Sequence, residues 1–133
     1  MTVFLIFAQM KEKELFDNVS YKCSKAVTRA YSTSFSLAIN FLDKEFIRPI
    51  HSIYGFVRFA DEIVDSFHNY NKPELLKRFS DETKLAIKDG ISLNPILNSF
   101  QQTVNKYKIE EELIDVFLRS MEMDLEKKHH DRK

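Results

Sequence analysis

The stretch Ile50-His51-Ser52-Ile53-Tyr54-Gly55-Phe56-Val57-Arg58-Phe59-Ala60-Asp61-Glu62-Ile63-Val64-Asp65-Ser66-Phe67 decides the fold. Ile50, Ile53, Phe56, Val57, Phe59, Ala60, Ile63, Val64 and Phe67 spread apolar side chains almost all round a helix. Such a helix belongs at the centre of a bundle. One polar stripe interrupts it. Tyr54, Arg58, Asp61 and Asp65 recur at i, i+4, i+7 and i+11. At about 100° per residue they fall within a fan of about 60°. A buried carboxylate is costly unless it is paired or bound to a metal. Asp61 and Asp65 lie one turn apart, about 6 Å along the axis, and can reach the same cation cluster. Two carboxylates with phosphate oxygens and water are a usual environment for Mg²⁺. Arg58, one turn back, offers a fork for phosphate oxygens. Glu62 sits at the edge of the stripe. An Asp-x-x-x-Asp alone is a weak signal, and the plainer reading is an exposed ion pair of Arg58 with Asp61 or Glu62. The apolar flanks favour a site, because solvated faces are seldom so narrow.

Outward from this helix the chain reads as more helices. Among 133 residues only 2 Gly and 3 Pro occur, too few turn residues for a long β-meander. A first helix is expected from about Glu14 to Ala30, with Leu15, Val19, Cys23, Ala26, Val27 and Ala30 near helical spacing. Tyr31-Ser32-Thr33-Ser34-Phe35 interrupts it, because successive hydroxyls compete for backbone hydrogen bonds. A short piece follows to about Phe41. Asp43 is the expected N-cap of the central helix, from about Lys44 to Phe67, with Pro49 near its first turns. Pro73 to about Gly90, Asn94 to about Tyr107 and Glu110 to about Lys128 complete the set. Leu113, Ile114, Phe117, Met121 and Leu125 share one face of the last. The expectation is an all-α bundle of five or six helices, with the Lys44–Phe67 helix its most buried member. Asp61, Asp65, Arg58 and Tyr54 should face one cavity, with Tyr31 to Ser34 at its mouth.

Composition narrows the function. Lys+Arg and Asp+Glu are both 20, so no net basic excess marks a nucleic-acid partner. Cys23 is the only cysteine, which excludes an intrachain disulfide and fits a reducing, cytoplasmic compartment. It reads as a small packed side chain. Val3 to Ala8 is apolar but too short to span a bilayer, and no cation precedes it as in a signal peptide. Residues 1–13 read as a flexible extension, with Met10 an alternative start to Met1. His129 and His130 point about 100° apart on a helix, a poor chelating pair, and read as part of a solvated tail.

Three blocks in order are more specific than any one of them. Tyr31-Ser32-Thr33-Ser34-Phe35, Tyr54-Gly55-Phe56-Val57-Arg58 and Asp61-Glu62-Ile63-Val64-Asp65 together resemble the squalene/phytoene synthase family, in its amino-terminal half. Met121-Glu122-Met123-Asp124-Leu125 resembles a block of its phytoene synthases. The resemblance runs from about Leu15 to Lys128 and makes residues 14–133 the first part of such a domain. It implies an isoprenoid-synthase-like helical bundle, here incomplete, around a deep pocket. It implies that Asp61 and Asp65 bind Mg²⁺, that Tyr31, Ser32, Thr33 and Ser34 cover the diphosphates, and that Tyr54 and Arg58 contact substrate. Phe35 would line the prenyl pocket. The implied reaction joins two identical prenyl diphosphates, farnesyl or geranylgeranyl, head to head through a cyclopropyl intermediate. Mg²⁺ and arginine would neutralise the leaving diphosphate, and apolar walls would shelter an allylic cation. NADPH enters only in squalene formation. Such lipid-soluble substrates imply peripheral membrane contact. The family's second metal motif, of the form N-x-x-R-D-x-x-x-D, is absent from this sequence. That points to a chain inactive alone, completed by a carboxy-terminal half. Asp124 stays open between a structural role and one near the second substrate. A head-to-tail prenyltransferase or terpene cyclase shares the carboxylate logic but not the Tyr-Ser-Thr-Ser-Phe block. A non-catalytic helical binding protein is the remaining alternative.

Overall fold

The computed structural model describes residues 2–131. Among them the chain forms six helices and no strand: α1 (Thr2–Tyr31), α2 (Thr33–Ile39), α3 (Lys44–Asp65), α4 (Lys72–Asp89), α5 (Pro95–Tyr107) and α6 (Glu111–Asp131). The all-α expectation therefore holds.

The helix ends follow local chemistry. Ser32 breaks α1 from α2 and caps α2, its Oγ accepting from Phe35 N at 3.1 Å. Asn71 and Asn94 cap α4 and α5 through their side chains. Asp43 occupies the N-cap place of α3, but its side chain makes no cap bond. Gly90 ends α4 in the left-handed region at φ 72°, where a Cβ is disfavoured. Pro49 lies inside α3 and withholds the N–H that Glu45 O would accept. The Tyr107 hydroxyl donates to that carbonyl instead, at 3.3 Å. α3 stops at Asp65, two residues short of the expected Phe67, which adopts φ 56°. Lys72 Nζ takes the Val64 carbonyl at 2.7 Å, one of the acceptors that a helix end leaves open.

α1 departs most from its periodicity. It is helical from Thr2, so residues 2–13 continue the helix without a break, and Val3 to Phe7 are exposed. The residues that carried its apolar spacing are not the packed ones. Leu15 and Val19 are exposed, whereas Asp17, Ser20, Ser24 and Thr28 are buried. This small, polar face packs against α3 and α5. Thr28 donates to the Ser24 carbonyl in its own helix, while Ser20 donates to the Phe16 carbonyl and accepts from Asn98 Nδ2 of α5 at 3.0 Å. Gly55 completes the close approach: a Cβ there would lie 3.2 Å from Ser24 Oγ.

α5, not α3, is the most buried helix. Eight of its thirteen residues are buried, from Ile96 through Gln101 with Thr103 and Val104, against seven of twenty-two in α3. It packs on α1, α3 and α4. Its inward face carries Asn98, Ser99, Gln101 and Thr103, and this polarity conceals its central place from a hydropathy reading. The apolar core centres on Phe56. Its ring stacks on Phe100 at 3.8 Å and on Phe79 at 5.4 Å, and meets Phe117 at 5.5 Å, joining α3, α5, α4 and α6.

Candidate diphosphate site

Tyr54, Arg58, Asp61 and Asp65 lie along one face of α3, as their spacing requires. Tertiary packing divides that face into three groups. At the start of α2, the exposed Phe35 ring stacks on Tyr54 with centroids 4.9 Å apart. At the end of α1, Tyr31 lies under the Arg58 guanidinium, 4.5 Å from ring centroid to Cζ. Arg58 Nη2 donates to Glu62 Oε2 at 2.6 Å. Ser66, Arg58 and Tyr31 all hydrogen-bond the Glu62 carboxylate and hold it below its ordinary pKa. Burial, reinforced by Glu62, lifts the Tyr31 phenol. Arg58 Nε is buried and has no hydrogen-bond partner.

The third group gathers carboxylates. Asp65, at the end of α3, pairs with Lys128 of α6, and Lys128 Nζ lies 3.7 Å from Asp124 Oδ2. Burial raises the Asp61 carboxyl pKa, Arg58 opposes the rise, and Asp65 adds to it. Asp124 and Lys128 act on Asp61 more weakly and in opposite senses.

The most prominent cleft among the described residues does not gather all four stripe residues. An open cleft of about 1210 Å³ lies between the end of α3, α4 and α6. Of the stripe residues only Asp65 lines it, with His68, Lys72, Leu76 and Lys128. Thr33 and Ser34 are exposed at the start of α2, and the Ser32 hydroxyl is engaged as its cap. The Arg58–Glu62 pair was legible as an i, i+4 spacing. The approach of Lys128 to Asp65 was not, because 63 residues separate them. His129 and His130 have side chains outside the described residues. Cys23 is half-buried on α1.

Among the described residues no three His, Cys, Asp or Glu side chains converge to hold a metal ion. The donors still suit Mg²⁺. Asp61 and Asp65 supply hard oxygens alone, and Mg²⁺ is commonly held by one or two carboxylates together with substrate phosphates. The clustered negative charge of Asp61, Asp65 and Asp124 is what a cation relieves.

The helical architecture and this charged stripe on α3 define an all-α, isoprenoid-synthase-like protein. The family model described as squalene/phytoene synthase matches residues 28–132, and the chain belongs to that family. No curated protein matches it. No helix among the described residues is long and apolar enough to cross a membrane.

Proposed function

We propose that α3 holds the diphosphate of a prenyl substrate in an enzyme that joins two prenyl diphosphates head to head. The observation that carries this reading is Arg58, whose buried Nε–H has no hydrogen-bond partner, one turn from Asp61 on the same face of α3. Asp61 and Asp65 would hold Mg²⁺, which when bound supplies positive charge to the leaving diphosphate. Arg58 offers its Nε–H to a phosphate oxygen. Glu62 fixes the guanidinium and Tyr31 supports it from below. Tyr54 and Phe35 form an aromatic wall for the prenyl chain. Ser32, Thr33 and Ser34 cover the diphosphate.

Farnesyl and geranylgeranyl diphosphate are the substrates of this reading, and squalene, dehydrosqualene and phytoene its products. The Met121–Leu125 block favours phytoene and carotenoid biosynthesis, in which NADPH has no part. Residues 14–133 form the amino-terminal part of the domain. A second segment bearing N-x-x-R-D-x-x-x-D, absent from these 133 residues, supplies the other carboxylates. The chain alone is then inactive, and adding that segment restores Mg²⁺-dependent diphosphate release. A cytoplasmic setting with peripheral membrane contact suits one unpaired cysteine and lipid-soluble substrates.

The test is Asp61→Asn and Asp65→Asn in the enzyme completed with the second motif. Each should lower diphosphate release about a hundredfold or more, with an unchanged thermal melt. Near-normal release by either variant rejects the assignment.

A further inference from the structure

Lys128 reaches from α6 to the Asp65 carboxylate and lies 3.7 Å from Asp124 Oδ2. An ammonium thus bridges carboxylates from two helices. The side chains of Lys128, Asp65 and Asp124 are 42%, 48% and 46% exposed, so the ammonium can leave without disturbing the core. Lysine carries a compact point charge on a flexible stem, which suits it to a reversible contact. An ammonium and a divalent cation on the same carboxylate would repel each other at short range.

We propose that Lys128 is a built-in competitor for the metal: it occupies the Asp65 carboxylate when no divalent cation is bound and swings away when one binds. This rests on the reading of Asp61 and Asp65 as the metal carboxylates. Lys128 keeps the carboxylates of α3 and α6 together against their mutual repulsion, and it sets a threshold of cation concentration below which the site stays closed.

The experiment is a Mn²⁺ titration of the full chain, with unbound Mn²⁺ read by electron paramagnetic resonance. Lys128→Met should tighten Mn²⁺ binding roughly three- to tenfold, the range expected for releasing one or two exposed ion pairs. Lys128→Gln should repeat the gain. Lys127→Met removes an equal charge from the neighbouring position and should change affinity less than about twofold. Circular dichroism verifies that each variant is folded. No gain in the Lys128 variants overturns the proposal, whether all forms bind alike or none binds. An equal gain in Lys127→Met also overturns it, by reducing the effect to net charge. Asp65→Asn separates the two readings. If it leaves Mn²⁺ binding unchanged, the metal assignment falls. If it weakens binding while Lys128→Met gains nothing, the competitor role alone falls.

Discussion

His51 lies in α3 with 1% of its surface exposed, and its Nδ1 has no hydrogen-bond partner. The Tyr21 ring meets it edge-on at 5.9 Å. Burial lowers its pKa below the ordinary 6.5, and Lys25 and Arg29 of α1 lower it further. The folded state therefore disfavours the imidazolium, while the unfolded chain protonates near pH 6.5. Stability should be level above that pH and should fall below it, until the folded-state pKa is reached. Melting temperatures between pH 7.5 and 5 test this. His51→Gln, which cannot take up the proton, should flatten the profile over that range. An unchanged slope in the variant would show that His51 is not its source.

Between elements, a polar network locks α1, α3 and α5 together at the end of the bundle away from the charged stripe. Asn98 is fully buried and spends all its hydrogen-bonding capacity. Its Nδ2 donates to Asp17 Oδ1 at 2.9 Å and Ser20 Oγ at 3.0 Å, and its Oδ1 accepts from Ser92 N and Gln101 Nε2. Arg48 joins α3 to the same network through Asn18 and Gln102. Asn98→Ala should cost about 2 kcal/mol or more, because it strands buried partners. Asn98→Asp should cost still more at neutral pH, since it replaces donors with a carboxylate facing Asp17. That excess should shrink by about pH 4, because burial and the facing Asp17 carboxylate both favour the protonated form of the introduced carboxyl. Urea melts of both variants at pH 7 and 4 measure it. The α1–α3 contact depends in turn on Gly55. Gly55→Leu should overpack it by about 1–3 kcal/mol and displace α1 from α3, read as a lowered urea midpoint.

At the scale of the molecule, much apolar surface faces outward. Phe4 is 82% exposed, Phe41 91% and Leu93 89%, and Phe35, Leu37, Phe46, Leu113 and Val116 are exposed as well. Soluble monomers seldom leave so many large apolar side chains uncovered. The chain by itself should self-associate at micromolar concentration and bind a hydrophobic dye. Light scattering after size exclusion checks this, and a dilute monomer without dye binding would contradict it. Phe56 sets the stability of what is packed. Its stacking on Phe79 and Phe100 means that Phe56→Ala should cost about 3–5 kcal/mol.

Local rules reached a long way. The scarcity of Gly and Pro, the break at Ser32, the helix starts at Pro73 and Asn94, the stop at Gly90 and the four-residue stripe on α3 all depend on neighbours within a turn or two. Such interactions leave their spacing in the chain. Hydropathy failed where burial is polar. Asp17, Ser20, Thr28 and Asn98 are inside because their hydrogen bonds are met, and no apolar period announces them. It failed also where partners are remote. Only the packing of α6 on α3 brings Lys128 to Asp65, and only the return of α2 lays Phe35 on Tyr54. The sequence alone determined which residues share the charged face of α3, since helical geometry is local. The tertiary structure decided how those residues divide and what each meets, because long-range approach depends on how all the helices pack together.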